Sequence, residues 1–208
     1  MFLRLMIMST IKAKIDNILR SLHFQKHQFG ITGDYKFVQT TNFPIPLSEH
    51  MDWSIRHGGF NDSKYNGKGQ RVGVLDSGFD IDHRDLKGKI TTGCFIPGCK
   101  DQPCYLDRVS HGTFCAGEIV AKSDGQGIVG VAPEATCFGG KVIYGDYGDT
   151  LSNFENALIK GIRSAVSEGC GVISMSLGSS HNNPKVEEAL SFAVENGVIP
   201  MAASGNEG

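Results

Sequence analysis

The feature that most constrains the fold is an alternation of short apolar runs with helical segments. Residues 71–75, 171–177 and 198–203 have the length and composition of buried strands. Apolar residues at helical spacing within 151–168 and 184–195 predict two helices between them. Strands and helices that alternate at these lengths predict an α/β fold, in which helices flank a parallel β-sheet.

The ends of the two predicted helices carry recognisable stop and start residues. Asn183 is placed to cap the second helix, with Pro184 in its first turn. Gly169 and Gly197 are placed to end the two helices. These residues fix where the chain turns back to the next strand.

Length and charge exclude several classes of protein. The 208 residues suffice for one domain with a real core, and the net charge is −2. This balance offers no basic excess for phosphates, so we expect no nucleic-acid partner. No apolar run approaches ~18 residues, so we expect no membrane span.

The N-terminal region predicts an arm rather than part of the globular body. Arg4 interrupts the first apolar residues and no small-residue cleavage site follows, which predicts a cytoplasmic protein without a secretory signal. Pro44 and Pro46 keep their surroundings extended. We therefore expect an arm over 1–46 and a globular body over 47–208.

Three of the six cysteines lie close together in the sequence. Cys94, Cys99 and Cys104 are evenly spaced, but zinc sites more often use tighter pairs with a fourth ligand. We expect free thiols on a loop. A local disulfide and a metal site are the alternatives.

Polar residues at predicted strand and helix ends are candidates for chemistry. Asp76 directly follows a buried strand, His111 begins a small-residue helix, and Asn206 follows the last strand in a Gly-rich turn. Singly, each is ordinary: a turn aspartate, a surface histidine and a turn asparagine. In one cleft, they could be an orienting carboxylate, a general base and an oxyanion donor.

Four motifs that follow one another in a fixed order favour the catalytic interpretation of these residues over the ordinary one. Asp76-Ser-Gly, His111-Gly-Thr-Phe-Cys-Ala-Gly, Ser174-Met-Ser-Leu-Gly and Ala203-Ser-Gly-Asn-Glu-Gly follow one another along the chain. In this respect residues 47–208 resemble the subtilisin-like serine proteases (subtilases, peptidase family S8), in style closest to the intracellular branch. The resemblance implies a three-layer αβα fold, here incomplete at the C-terminus, and a triad in the chain order Asp, His, Ser.

The resemblance also implies roles for particular residues. Asp76 would orient His111, His111 would be the general base, and Asn206 would donate to the oxyanion. A polypeptide substrate would pair as an added strand. The residues implied in substrate binding are Ser174, Met175, Ser176, Leu177, Gly178, Gly148, Asp149 and Thr150.

Family members usually bind calcium, and the stretch 121–133 resembles their calcium loop. By that match, Asp85 and Asp124 would supply side-chain oxygens, and Lys122, Gln126 and Ile128 would supply carbonyls. Oxygen-only ligands suit this hard cation. The alternative is an ordinary Gly-rich surface loop.

The serine nucleophile is the missing component. The family carries it in a Gly-Thr-Ser-Met-Ala segment, which these 208 residues do not contain. We expect the N-terminal part of an active serine endopeptidase, with this chain alone inactive; the alternative is an inactive product that binds peptides or proteins. The resemblance further suggests that residues 1–46 are a short inhibitory propeptide, and Cys115, four residues after His111, suggests sensitivity to mercurials.

Overall fold

The computed structural model describes residues 65–99, 103–144, 150–179 and 181–205. It confirms the parallel α/β architecture. Five strands are present in this part of the chain: β1 (Arg71–Asp76), β2 (Ile90–Cys94), β3 (Thr136–Lys141), β4 (Val172–Met175) and β5 (Ile199–Ala202). The three helices described are α1 (His111–Val120), α2 (Leu151–Ser167) and α3 (Pro184–Glu195).

The sheet is parallel throughout and has the strand order β2-β3-β1-β4-β5. The chain therefore runs to one side of β1 for β2 and β3, and to the other side for β4 and β5. Such a reversal opens a crevice at the carboxyl ends of the strands beside it. Asp76 is the last residue of β1 and lies at this point.

Two apolar clusters on opposite faces of the sheet give the fold three layers. Val74 and Leu75 are both fully buried, and as neighbours on a strand they point to opposite faces. Val74 packs with Ala116 and Val120 of α1, whereas Leu75 packs with residues of α2 and α3 such as Ile162. Helix α1 therefore covers one face, and α2 with α3 covers the other.

The helix ends agree with the sequence prediction. The Asn183 side chain accepts a hydrogen bond from the backbone N–H of Lys185, with Pro184 in the first turn. Gly169 and Gly197, just beyond α2 and α3, have positive φ angles of 73° and 79°. Glycine takes this conformation at no steric cost, which is why it ends these helices.

Two strands are shorter than predicted and two were not predicted. The runs 171–177 and 198–203 reduce to Val172–Met175 and Ile199–Ala202. Neither β2 nor β3 has the pattern of a buried strand, because Thr and Gly dominate β2 and two glycines precede the final lysine of β3. Pairing with neighbours, rather than side-chain hydrophobicity, makes these segments strands.

The cysteine prediction was wrong in one respect. Cys94 and Cys104 form a disulfide, and Cys99 is a free thiol. Even spacing in the sequence could not distinguish this pairing from three free thiols, because the pairing follows from how the loop after β2 folds back.

Several predictions concern residues outside the described ranges. They are the arm over 1–46 with its boundary, and the candidate site residues Gly148, Asp149 and Asn206. Within the described part of the chain, no helix is both long and apolar enough to cross a membrane.

Candidate active site

The carboxylate of Asp76 is fully buried at the end of β1. Its Oδ1 accepts a hydrogen bond from the backbone N–H of Ser77 at 2.7 Å. The same oxygen lies 2.7 Å from Nδ1 of His111. A carboxylate buried away from water is costly unless hydrogen-bond donors surround it, and Ser77 and His111 supply such donors to Oδ1.

His111 reaches Asp76 because α1 begins directly beside the end of β1. A Cβ atom on Gly112 would overlap the carbonyl oxygen of Gly78 and would lie 3.0 Å from the Cβ of Asp76. Only glycine permits this approach of helix and strand. The small residue after His111 therefore sets the distance between imidazole and carboxylate.

The hydrogen bond determines what the imidazole can do. An ionised carboxylate only accepts, so a neutral His111 that bonds to Asp76 carries its proton on Nδ1 and has its lone pair on Nε2. The His111 side chain is 36% exposed, so the ring stays accessible to a substrate. An imidazole oriented in this way is able to accept a proton at Nε2, as a general base does.

The comparisons with known proteins identify the family of the chain. Residues 67–208 match the model of the Subtilase family. The chain belongs to the subtilase family.

The relatives of this subtilase include intracellular and other subtilisin-type proteases. The chain is 42% identical to the "Major intracellular serine protease" of Bacillus subtilis (strain 168) over 145 residues, which is 68% of the chain and 44% of that protein. It is 40% identical to the "Intracellular serine protease" of Paenibacillus polymyxa over 144 residues, or 68% of the chain and 43% of that protein. Against "Subtilisin E" of Bacillus subtilis (strain 168), identity is 38% over 69% of the chain and 36% of that protein. The chain thus spans less than half the length of each of these relatives.

Asp107 holds the start of α1 and was missed in the sequence analysis. Its Oδ1 accepts from Ser77 Oγ at 2.9 Å and from the backbone N–H of Ser110 at 3.0 Å. Its Oδ2 accepts from the N–H and the hydroxyl of Thr113, at 2.9 and 2.6 Å. The Ser77 hydroxyl in turn accepts from the N–H of Gly112 at 3.0 Å. The N–H groups of Gly112 and Thr113 in the first helical turn are therefore satisfied from outside the helix.

The sequence held one signal for Asp107. Aspartate is a preferred capping residue, and Asp107 lies three residues before Ser110 and six before Thr113, about one turn before the usual capping position. Ser110 has the left-handed φ of 65° and makes no side-chain cap of its own. Asp107 consequently supplies the cap, and through Ser77 it couples the helix to the end of β1.

Replacing Asp107 by Asn is expected to lower the free energy of unfolding by about 1–3 kcal/mol, because the amide cannot accept on both atoms. Urea unfolding of the 208-residue chain measures this loss. Asp82→Asn is the matched control, since the Asp82 side chain is 81% exposed. Equal stability of the two variants would contradict the role of Asp107.

Lys141 is a second residue that the sequence analysis missed. It ends β3 in register with Asp76, and its side chain is fully buried. Its Nζ donates to the carbonyl oxygen of Leu106 at 2.6 Å and lies 5.5 Å from the centre of the Tyr144 ring. Lys141 thus fastens the segment before Asp107 to the sheet.

Cys115 lies beside the imidazole. Its Sγ is 3.9 Å from Nδ1 and 4.0 Å from Nε2 of His111. Burial raises the pKa of the Cys115 thiol to about 11, which a hydrogen bond with Ser176 only partly offsets. The group is therefore a neutral thiol at pH 7 and not a competing nucleophile.

We expect alkylation of Cys115 by iodoacetamide to be slow at pH 7 and to rise about tenfold per pH unit towards pH 11. The reason is that only the thiolate reacts and its fraction grows with pH below the pKa. Mass spectrometry of the modified peptide checks this at several pH values. Rapid modification at pH 7 would contradict the raised pKa, whereas sensitivity to mercurials remains a prediction.

The segment predicted to bind substrate divides into two parts. Ser174 is paired on both sides, with Val74 of β1 and with Met201 of β5, and Met175 is paired with Ala202. The carbonyl of Met175 also accepts from the N–H of Ala203 at 3.1 Å. An added peptide strand therefore has no free edge at Ser174.

Beyond β4 the chain leaves the sheet, and residues 176–178 belong to no strand. Ser176 and Gly178 are exposed and Leu177 is half-buried.

Thr150, also predicted to bind substrate, caps α2 by accepting from the N–H of Asn153 at 3.2 Å. The structure thus brings Asp76, His111 and Ser176 together, the last through its bond with Cys115.

The predicted calcium loop wraps around Asp85, which is 4% exposed. Its Oδ2 accepts from the N–H of Ile128 at 3.2 Å, and its Oδ1 is buried without a hydrogen-bond partner. The Arg84 guanidinium lies 3.2 Å from Oδ1. A Cβ on Gly127, where φ is 68°, would overlap the Asp85 carboxylate. A buried carboxylate with an oxygen lacking a hydrogen bond and a loop folded tightly against it fits a cation site.

Proposed function

We propose that this chain is the part of a serine endopeptidase that carries the general base and its orienting carboxylate. The observation that supports this is the 2.7 Å contact between Asp76 Oδ1 and His111 Nδ1 at the end of the central strand. Buried carboxylates and half-exposed imidazoles occur widely. Their combination at the crevice of a subtilase sheet is what favours peptide-bond hydrolysis.

In this mechanism each described residue has one task. Asp76 keeps the proton of His111 on Nδ1 and stabilises the imidazolium that forms. Nε2 of His111 takes the proton of a serine hydroxyl as the serine attacks the peptide carbonyl, and then gives it to the leaving amine. The serine would come from a segment that these 208 residues do not contain, and the Asn206 side chain is our candidate donor to the oxyanion.

The proposed substrate class rests on the backbone after β4, which belongs to no strand. An extended polypeptide would pair with residues 176–178, because the two sides of Ser174 are already occupied by β1 and β5. Leu177, half-buried beside this edge, would then contact a substrate side chain. The proposed substrate is therefore an unfolded or loop segment of a protein.

The test is a chimera of residues 1–208 with the C-terminal part of the Bacillus subtilis major intracellular serine protease that lies beyond the matched region. A fluorophosphonate probe, which labels only activated serines, is expected to label it, and the chimera is expected to cleave peptides. His111→Ala in the same chimera is the control and should abolish both signals. A folded chimera that is neither labelled nor active would contradict the proposal.

One observation favours a second candidate function. The 208 residues contain no Gly-Thr-Ser-Met-Ala segment, and the alternative is a product that binds peptides or proteins without cleaving them. Fluorescence anisotropy of an extended labelled peptide would detect such binding. Binding by the chain, together with an inactive folded chimera, would favour this alternative.

We also propose that residues of the loop around Asp85 hold a structural Ca²⁺. Asp85 and Asp124 would provide carboxylate oxygens, and Lys122, Gln126 and Ile128 would provide backbone carbonyls. Bound calcium would neutralise the Asp85 carboxylate, whose Oδ1 now faces the Arg84 guanidinium, and would link the loop to the body of the fold. Its task would be stability and not chemistry.

Calcium at about 100 times its dissociation constant is expected to raise the melting temperature of the chain by roughly 5–10 °C over EGTA, since this excess is worth about 2.7 kcal/mol. Asp85→Asn should lose the shift, and the exposed Asp82→Asn should keep it. Differential scanning calorimetry measures all three proteins. An identical shift in Asp85→Asn, or no shift in the unmodified chain, would refute the site.

We propose an intracellular location, because two relatives carry that word in their names. We keep the hypothesis that residues 1–46 inhibit the complete enzyme. Deleting them from the chimera should then raise its peptidase rate, and an unchanged rate would contradict it.

A further inference from the structure

Cys94, Cys99 and Cys104 form what we call the three-cysteine cluster, on the loop between β2 and α1. Their Sγ atoms all lie within 4.8 Å of one another, and each residue is half-buried. Cys94 ends β2, and its Cα lies 5.9 Å from that of Cys104. The function proposed above uses none of these residues.

Three sulfur atoms at this separation can share one metal ion. Zinc–sulfur bonds of about 2.3 Å in a tetrahedral site put sulfurs roughly 3.8 Å apart, so small side-chain rotations suffice. Thiolates select soft or borderline ions such as Zn²⁺ over Ca²⁺. Among the described residues, the group has these three ligands.

The backbone keeps the cluster together even without the disulfide. On one side, the N–H of Phe95, next to Cys94, donates to the carbonyl of Lys141 at 3.0 Å. On the other, the carbonyls of Tyr105 and Leu106 accept from the N–H of Phe79 at 2.8 Å and from Nζ of Lys141 at 2.6 Å. Reduction would therefore leave Cys94 and Cys104 anchored near each other.

Cys99 is presented to the same point by its own turn. Its N–H donates to the carbonyl of Ile96 at 3.4 Å, with Gly98 at a φ of 66° inside the turn. Its Sγ lies 3.6 Å from the carbonyl oxygen of Cys104. The third sulfur is therefore held next to the disulfide and directed towards it.

We propose that the three-cysteine cluster is a redox-gated site for Zn²⁺. In the disulfide form, two of the three sulfurs are bonded to each other and cannot act as thiolates. A dithiol transfers two electrons and two protons to the Cys94–Cys104 bond and itself becomes a disulfide. Zn²⁺ then binds the three thiolates and displaces their protons to solvent.

The experiment compares Zn²⁺ binding by the reduced and the oxidised 208-residue chain. The chain is reduced with dithiothreitol, gel-filtered without oxygen and titrated with Zn²⁺ against a chromogenic chelator. We expect one tight equivalent in the reduced chain and none at this site in the oxidised one. Cd²⁺ in place of Zn²⁺ should give a thiolate-to-metal charge-transfer band in the ultraviolet.

Matched cysteine variants locate the metal. Cys99→Ser should weaken binding at least about 100-fold, because even changes outside the ligand set cost about 10–100-fold. Cys170→Ala, buried elsewhere in the core, should bind as the unmodified chain does. Loss of binding in Cys115→Ala but not in Cys99→Ser would put the ion beside Asp76 and His111, the other described group able to hold one, and would overturn the proposal.

A second measurement needs no variant and covers the case in which Cys99→Ser does not fold. In the reduced, unmodified chain, Zn²⁺ should protect all three cysteines of the cluster from alkylation, as read by peptide mass spectrometry. Equal alkylation of these cysteines with and without Zn²⁺ would also overturn the proposal.

Discussion

Asp76→Asn is expected to lower kcat of the chimeric enzyme by about 10⁴-fold. The amide has nearly the shape of the carboxylate, but it can present its NH₂ to His111 and favour the wrong tautomer. Nε2 then carries the proton and cannot act as base. This factor is typical of Ser–His–Asp triads in general, subtilisin included.

Measurements of KM and of thermal stability separate this effect from misfolding. A fall in kcat without change in KM or in thermal stability indicates loss of the base, whereas a global defect lowers the melting temperature as well. Asp82→Asn, with its 81% exposed side chain, is the control and should retain full activity. Full activity in Asp76→Asn would remove Asp76 from the mechanism.

Gly112→Ala is expected to have the second-largest effect, a loss of several kcal/mol in the free energy of unfolding. The added Cβ would overlap the carbonyl of Gly78, which is backbone and cannot rotate away, and would lie 3.0 Å from Asp76 Cβ. Removing this overlap requires α1 to move away from β1. Because α1 carries His111, the same movement lengthens the contact with Asp76.

Chemical denaturation of the chain measures the stability of Gly112→Ala. Gly171→Ala is the matched control, because the nearest atom to its added Cβ, in the side chain of Gln70, is 3.8 Å away. It should cost less than about 1 kcal/mol. A loss for Gly112→Ala as small as that expected for Gly171→Ala would show that the helix start tolerates a methyl group. The approach of α1 would then not be fixed by Gly112.

Much of the framework was predictable from local patterns. Apolar runs, Asn183 with Pro184 and the terminal glycines gave the positions of three strands and two helices, because such signals act within a few residues. The order of the polar motifs resembles that of the subtilases, and this resemblance implied that Asp76 and His111 meet.

The residues missed by the sequence analysis act across long separations. Asp107 contacts Ser77, 30 positions away, and Lys141 contacts the carbonyl of Leu106, 35 positions away. Each looks like an ordinary charged residue until the loop after β2 folds back onto the sheet. The same loop decides that Cys94 bonds to Cys104 and that Cys99 stays free.

Sequence alone therefore determined the α/β class and the helix ends, since periodicity and capping are short-range properties of the chain, whereas the pairing of an aspartate with a histidine came from the resemblance to the subtilases. Only the tertiary structure decided that β2 and β3 are strands, that Asp107 caps α1 and that Ser174 has no free edge for a peptide. These features depend on which distant groups fill the hydrogen bonds and the space around a residue. Packing and loop closure settle that, and no window of neighbouring residues contains it.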